Sequence, residues 1–364
     1  MRKDSYNEHV KNGQGPIPGK ILFVDSFKAN LMALLAHVYI YTHGRYDVTE
    51  YSKQETDGTF DVLLGHGVTG LKKKRIIHKN GDVRTVVGCA KDADLVVASS
   101  EAEGKIKCEE WNIPEEKLAI TGLPRYDRLA RIEHKTTGNG EILYVPTWRQ
   151  WELMRFSVEM TSYFKNIKAF ILDSGLNEYL KTKGHTVLLY VHVWMRDFYE
   201  DLWKRLSSKG VKVLPPNAEL QEFIISSSML VTDYSSVCWD FLYLEKPVVF
   251  FQYDVEEYLK EKGSYIDLKK DLFGPVAYTP DEAASSVKEI VENNFSVKKW
   301  DKKRKEMLEY AFKYRDKQNC ERLIREILKR CPHLSKCAIK LEPLDQDTHN
   351  NLERPCYNQT PLRG

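Results

Sequence analysis

Short apolar runs separated by polar, glycine- or proline-bearing segments set the rhythm of this chain. After a polar stretch rich in Gly and Pro, Asn12 to Gly19, the run Ile21-Leu22-Phe23-Val24 predicts a strand, and the apolar residues from Leu31 to Tyr41 predict a helix. Asp61-Val62-Leu63-Leu64 and Asp94-Leu95-Val96-Val97-Ala98 predict two further strands. The first runs into the loop Gly65-His66-Gly67, and the turn Gly122-Leu123-Pro124-Arg125 lies beyond the second. A second series comprises Ile142-Leu143-Tyr144-Val145, Thr186-Val187-Leu188-Leu189-Tyr190-Val191, Met229-Leu230-Val231-Thr232 and Pro247-Val248-Val249-Phe250-Phe251. These runs are apolar at successive positions, the pattern of strands buried on both faces, and helices between them complete a doubly wound sheet. From Ser296 to Lys329 the pattern is helical, with Leu308, Phe312, Leu323, Ile324, Ile327 and Leu328 available for apolar faces.

Alternating strand and helix patterns place the chain in the α/β class with parallel sheets. Its 364 residues, 42% hydrophobic and 29% charged, exceed the roughly 250–300 at which single cores split, so two lobes are expected. The polar, glycine-bearing stretch Glu133 to Glu141 reads as the linker. The expected division is a polar N-terminal segment 1–19, a first Rossmann-like lobe 20–134, a linker 135–141, a second Rossmann-like lobe 142–330 and a weakly ordered tail 331–364.

Charge adds little at the level of the whole chain: 55 Lys and Arg against 52 Asp and Glu give +3, which does not call for a nucleic-acid partner. Lys72, Lys73, Lys74 and Arg75 form the densest basic cluster, with Lys298 to Lys305 a second. Such runs are either solvated faces or surfaces for anionic lipid or a polyanionic acceptor. Seven scattered cysteines without CxxC spacing suit reduced thiols. No apolar run reaches the ~18–20 residues of a membrane span, and Met1 to Lys20 lacks the apolar core of a signal peptide. A cytoplasmic protein, at most touching a membrane, is expected.

Several segments carry candidate chemistry. In Val231-Thr232-Asp233-Tyr234-Ser235-Ser236-Val237, a strand gives way to hydroxyl residues and a helix start, which can hold a phosphate or be ordinary N-capping by Asp233 or Ser235. His66, between glycines, has the pKa range to accept a proton from an attacking hydroxyl, or is a plain loop histidine. His192 follows a strand end, where α/β proteins place ligands, and a structural role fits it equally. Pro146-Thr147-Trp148-Arg149 offers a hydroxyl, an aromatic plane and a guanidinium, for a phosphate or base or as a packed turn. In Pro124-Arg125-Tyr126-Asp127 a structural salt bridge is the expected role of the charged pair. No acidic cluster has metal spacing, so no tightly bound metal or cofactor is expected, although a loosely held divalent ion such as magnesium is compatible.

In order, these segments resemble the CDP-glycerol glycerophosphotransferase family, which builds wall teichoic acids and related capsule polymers. His66-Gly67 with Leu71-Lys72-Lys73 is similar to its His-Gly-Thr-x-Leu-Lys element, with Val68 in place of Thr. Gly122-Leu123-Pro124-Arg125-Tyr126-Asp127 is similar to its Gly-Tyr-Pro-Arg-x-Asp turn, and Pro146-Thr147-Trp148-Arg149 matches directly. His192 stands at its His-Pro pair, with Val193 replacing Pro. Thr232-Asp233-Tyr234-Ser235-Ser236 continues through Asp240-Phe241 to Lys246-Pro247 and Tyr253-Asp254, followed by Gly274-Pro275 and Glu321-Arg322. The resemblance spans about residues 20 to 330.

The resemblance implies a GT-B fold, two Rossmann-like lobes facing a cleft, with the donor held mainly by the second. An acceptor hydroxyl on a lipid-linked polymer would attack the β-phosphorus of CDP-glycerol or CDP-ribitol, and CMP would leave. It makes His66 the candidate base and His192 a second catalytic candidate. Thr147, Arg149, Thr232, Asp233, Ser235, Ser236 and Arg322 become donor-binding candidates. Lys72, Lys73, Lys74 and Arg75 would meet the acceptor or an anionic membrane surface, aided by apolar residues between Trp148 and Phe170, including Trp151, Leu153, Met154, Phe156, Tyr163 and Phe164. Peripheral attachment to the inner face of the cell membrane follows. The competing readings are a GT-B glycosyltransferase using a nucleotide sugar and a non-catalytic protein that binds nucleotide or polymer.

Overall fold

The computed structural model describes residues 32, 34–49, 51, 58–73, 75–77, 83–85, 88–132, 138–153, 158–191, 204, 206, 207, 211–215 and 218–337. The expected strand Ile21–Val24, His192, Lys74, part of the linker and most of the tail lie outside them. The chain divides after Glu326 into a main compact unit and a short C-terminal one. The latter holds the last residues of the helix Asn319–Arg330 and the 3-10 segment Pro332–Cys337.

Two parallel sheets organise the main unit. The first contains β1 (Val38–Tyr41), β2 (Phe60–Leu63), β5 (Leu95–Ala98) and β6 (Leu118–Ile120), in the order β1-β2-β5-β6. A small antiparallel ribbon of β3 (Arg75–Ile77) and β4 (Val83–Thr85) lies between β2 and β5 in the sequence. The helix expected over Leu31 to Tyr41 gives way to strand: Met32 and Leu34 are helical, but Val38–Tyr41 pairs with Phe60–Leu63. Val-Tyr-Ile-Tyr is β-branched and aromatic, and it buries Tyr39 and Tyr41 while exposing Ile40, a period of two that a helix cannot satisfy.

The second sheet is built from β7 (Glu141–Val145), β8 (Thr186–Leu189), β9 (Lys212–Val213), β10 (Met229–Thr232), β11 (Val248–Phe251) and β12 (Val276–Ala277). Their order, β12-β11-β10-β7-β8-β9, runs outward in both directions from the β7/β10 pair. All the pairings in this sheet are parallel. One face of the sheet presents Ile142, Tyr144, Val187, Leu189, Met229, Val231, Val249 and Phe251 to a single core. The helices Ser162–Lys168, Leu176–Thr182 and Pro280–Glu292 supply Ile167, Leu176, Leu180, Ala284 and Val287 to it. Each fully buried Val, Leu, Ile or Phe contributes about 1.5–3 kcal/mol, which is why both faces of these strands are apolar. Trp151, Tyr163 and Phe164, expected to face a membrane, are buried instead, the latter two within this core. Their spacing fits a helix packed on a sheet as well as one lying on lipid.

Helix ends are fixed by named side chains. Thr279 and Glu282 form a reciprocal capping box at Pro280–Glu292. The carboxylate of Asp127, from the helix Arg125–Leu129, accepts the N–H groups of Asn319 and Cys320 at 2.9 and 2.8 Å, satisfying the first turn of Asn319–Arg330. Asp127→Ala leaves one buried and one part-buried donor without this acceptor, and a denaturant titration should show a loss of about 1–3 kcal/mol.

Candidate active site

In an open parallel sheet the chain leaves the two strands at the centre of the order in opposite directions, and their carboxyl ends enclose a crevice. Here those strands are β7 and β10, and the segments leaving them are Pro146–Arg149 and Asp233–Ser236. A cavity at this point is lined by Val145, Pro146, Thr147, Trp148, Tyr190, Ser235 and Lys72. A second is lined by the loop from Gly65 to Lys72 together with Lys107, Trp111, Tyr234 and Ser236. Lys72, from a first-sheet loop, lines both.

The walls are held by a buried ion cluster. Arg149 gives a two-pronged contact to Asp254, Nε to Oδ2 at 2.6 Å and Nη2 to Oδ1 at 2.8 Å, and its Nη1 donates to Asp233 at 2.8 Å and to the Thr147 carbonyl. The rings of Tyr253, Tyr234, Tyr258 and Trp151 surround it at 5.1, 5.2, 5.4 and 5.9 Å from the guanidinium carbon. Asp233 also accepts the N–H of Thr147 at 2.9 Å and of Tyr234 at 2.6 Å. Arg149 and Asp233, read from the sequence as donor-binding, therefore spend their polar atoms tying the two loops together, in a buried site. The hydroxyl of Thr232 donates to the Val145 carbonyl at 2.6 Å and staples β10 to β7. What reaches the crevice is Thr147, whose buried hydroxyl has no protein partner, together with Ser235 and Ser236. The helix that follows, Val237–Tyr243, is two turns long, and its start has no side-chain cap.

Across the crevice, His66 is exposed on a loop anchored at several points. Arg125 Nη1 donates to the His66 carbonyl at 2.5 Å, while its Nη2 pairs with the buried carboxylate of Asp240 at 3.0 Å. The salt bridge expected within Pro124–Asp127 thus reaches out to a different acid. Glu103 accepts the Thr69 N–H at 3.0 Å and pairs with Lys107 at 3.0 Å. Gly70 lies against Trp239: a Cβ there would sit 2.7 Å from the indole Cζ2, which excludes any side chain. Tyr265 N–H donates to the Gly70 carbonyl at 2.9 Å. A Cβ at Gly67 would lie 3.2 Å from Ser236 Oγ, so the glycine lets the loop close on the serine.

Lys72 is reached by solvent yet enclosed by the cleft walls, and this enclosure lowers its pKa. The nearby Asp233 opposes that shift and Lys262 adds to it. Lys73 points elsewhere, to Glu110 at 2.7 Å and over the Tyr265 ring. Arg75 is in β3. Arg322 pairs with Asp316 at 2.7 and 2.8 Å, stacks on Tyr314 and donates to the Thr121 carbonyl, and it does not line either cavity. The sequence reading names neither Glu103 nor Lys107, and it gives Arg125 only a structural salt bridge and Tyr234 no role of its own. A charged pair four residues apart, Glu103 and Lys107, was a visible signal, but its contact with the loop at Thr69 was not.

Known proteins resemble this chain over most of its length. The family model described as CDP-Glycerol:Poly(glycerophosphate) glycerophosphotransferase matches residues 24–329. The minor teichoic acid biosynthesis protein GgaB of Bacillus subtilis (strain 168) is 27% identical over 329 residues, which is 85% of this chain and 34% of that protein. The teichoic acid glycerol-phosphate transferase of Staphylococcus aureus (strain NCTC 8325 / PS 47) is 29% identical over 216 residues, 55% of this chain and 52% of that one. The chain thus spans between a third and about half of the length of these relatives. Among solved structures, that of the wall teichoic acid polymerase TagF (H548A) aligns with a TM-score of 0.66 at 20% identity, covering 91% of this chain and 85% of that one. The fold is of the GT-B type.

Two substitutions test the scaffold. Arg149→Met leaves the Asp233 and Asp254 carboxylates buried without their cation and should cost about 3–5 kcal/mol in a denaturant titration. Burial alone would raise the pKa of Glu103, but the Lys107 ammonium and the Ser99 N–H and hydroxyl outweigh it, and the carboxyl titrates below its ordinary range. Its stabilisation is therefore complete above the unfolded value of about 4.3 and is lost as pH falls through the folded value. Melting temperatures measured from about pH 6 down to about pH 3 should fall less steeply in Glu103→Gln than in the parent chain.

Proposed function

The chain belongs to the CDP-glycerol:poly(glycerophosphate) glycerophosphotransferase family, and from that premise we propose that it transfers glycerol phosphate, or a related alditol phosphate, from a CDP-activated donor to a hydroxyl of a cell-surface polymer or its lipid-linked precursor. The observation that carries this reading is the convergence on one crevice of His66, Lys72, Thr147, Ser235 and Ser236. The first two come from the first-sheet loop, and the others from the two segments at the centre of the second sheet.

The acceptor oxygen attacks the β-phosphorus of the donor while its proton passes to the imidazole of His66. The bond from that phosphorus to the bridging oxygen breaks, and CMP leaves with the bridging oxygen. Negative charge shifts toward that oxygen and spreads over the transferred phosphoryl group. Fixed donors in a crevice stabilise it best, because they need no reorganisation when the charge moves. Ser235, Ser236 and the Thr147 hydroxyl are such donors, and Lys72, which lines both cavities, supplies a full positive charge. Arg149, Asp233 and Thr232 act by holding those groups in place. His192 remains a second catalytic candidate through the family's His-Pro element.

This chemistry asks for contact with the inner face of a membrane, where lipid-linked acceptors reside. Among the described residues no helix is long and apolar enough to cross one. The test is CMP release from CDP-glycerol and from CDP-ribitol, run beside a panel of UDP-sugars with lipid-linked acceptor present. CMP from a CDP-alditol is the expected product; UDP release, or no turnover with any donor, overturns the reading. His66→Ala should lower kcat by ~10²–10⁴-fold while leaving nucleotide affinity unchanged.

A further inference from the structure

His66 has an imidazole neighbour that no motif announces. β1 and β2 run side by side in register, with Tyr41 opposite Leu63, and the Leu64 N–H continues the ladder by donating to the Tyr41 carbonyl at 2.9 Å. The chains leaving the two strands therefore emerge together, and His43 and His66 meet just beyond the sheet edge. Their rings lie nearly parallel, with centroids 4.6 Å apart and planes 11° apart.

His43 is itself held from behind. Its Nδ1 lies 2.9 Å from the Thr42 hydroxyl, and that hydroxyl lies 3.2 Å from Asp47 Oδ2. A hydroxyl that gives its one proton to the carboxylate can only accept from the ring, so Nδ1 of His43 is the protonated nitrogen. Asp47 Oδ2 also accepts the N–H groups of Thr42 and His43, at 3.1 and 2.8 Å, and lies 3.6 Å from Nδ1. Thr42, His43 and Asp47 thus form a closed cluster on one turn, with a carboxylate beside the His43 ring.

We infer that His43 is a positioning residue for His66, stacking on its ring to fix the plane in which the imidazole faces the crevice and tuning its readiness to take a proton. The inference rests on the reading of His66 as the base. Asp47 Oδ2 lies 3.6 Å from His43 Nδ1, and between two stacked rings a charge on one opposes a charge on the other. Among the described residues, charged groups at the same loop and cavity include Arg125 at the His66 carbonyl, with Asp240 behind it, and Lys72 and Lys107, the last paired with Glu103. These charges stand near His66 as well, so the contribution of His43 has to be isolated by substitution.

His43→Phe keeps a flat ring without charge, and His43→Gln removes the ring; the site is at the surface, so both are compatible with folding. The Cε1 proton of His66 is followed by NMR through a pH titration in the parent chain and in both variants, an experiment that needs no substrate. In His43→Phe the His66 midpoint should rise by about 0.5–1 pH unit, and the acid limb of the rate of CMP release should move with it. In His43→Gln kcat should fall about tenfold with the donor KM unchanged, the range in which lost orientation is felt. A His66 midpoint that stays put in His43→Phe overturns the inference, whatever the enzyme turns over. Absence of CMP release from the parent chain overturns the reading of the base instead, while the titration still reports whether the two rings are coupled.

Discussion

A single guanidinium, that of Arg149, fixes the geometry on which the crevice depends. It sits fully inside the protein between two carboxylates, Asp233 at the end of β10 and Asp254 beyond β11, and also holds the carbonyl of Thr147 beyond β7. Three neighbouring strands thus have their exit loops joined through one side chain. A buried cation is costly unless paired, and once paired it tolerates little displacement, because every lost contact strands a charge in a medium of low dielectric. Arg suits the position because its fork meets Asp254 with two nitrogens and leaves another for Asp233, which an ammonium cannot do.

The loop that carries His66 belongs to the first sheet but takes its shape from both sheets. Glu103 holds it at Thr69 from the first-sheet side. Arg125 grips the His66 carbonyl while paired with Asp240, a residue of a second-sheet helix. Trp239 from that same helix fills the space beside Gly70, and Tyr265 and Gly263 take the Gly70 carbonyl and the Lys73 N–H. The imidazole is thereby indexed to the serines across the crevice, since Ser236 immediately precedes the helix that bears Trp239 and Asp240. A base placed by such reciprocal contacts can be precise without lying on a strand or helix of its own.

The central strands were legible because burial on both faces demands continuous apolar runs, and Met229–Thr232 begins and ends in the structure where the sequence places it, whereas the two- and three-residue strands β3, β4, β6, β9 and β12 are too short to show such a run. Val38–Tyr41 was misread as helix because a short apolar run has no period until its partner strand is known. Side-chain roles were less legible, since type and position do not say which way a group points. Arg149 reads as a phosphate fork and is a buried strut. Lys72 sits in a basic run like a surface residue, yet it lines the cleft, whereas Lys73 beside it pairs with Glu110. Trp151, Tyr163 and Phe164 have the composition of a membrane face and are buried. Long-range partners such as Arg125 with Asp240, 115 positions apart, leave no trace in a single sequence.

The motif series therefore has a double content. Lys246, in its Lys-Pro element, donates to the carbonyls of Ile224 and Ser227 and closes the end of the helix Leu220–Ser226. At Gly274 a Cβ would lie 1.9 Å from the Val248 carbonyl oxygen, so only glycine fits. These residues hold the second-sheet lobe together, while Asp254, Asp240 and Arg149 hold the loops of the crevice. In the buried cluster one Arg faces two Asp, and Lys72 stands near it. Lys72, which interacts electrostatically with Asp233, comes from the first-sheet loop and lines both cavities. In this arrangement the carboxylates that anchor the loops also draw the lysine into the crevice, so the scaffold and the binding surface depend on the same charges.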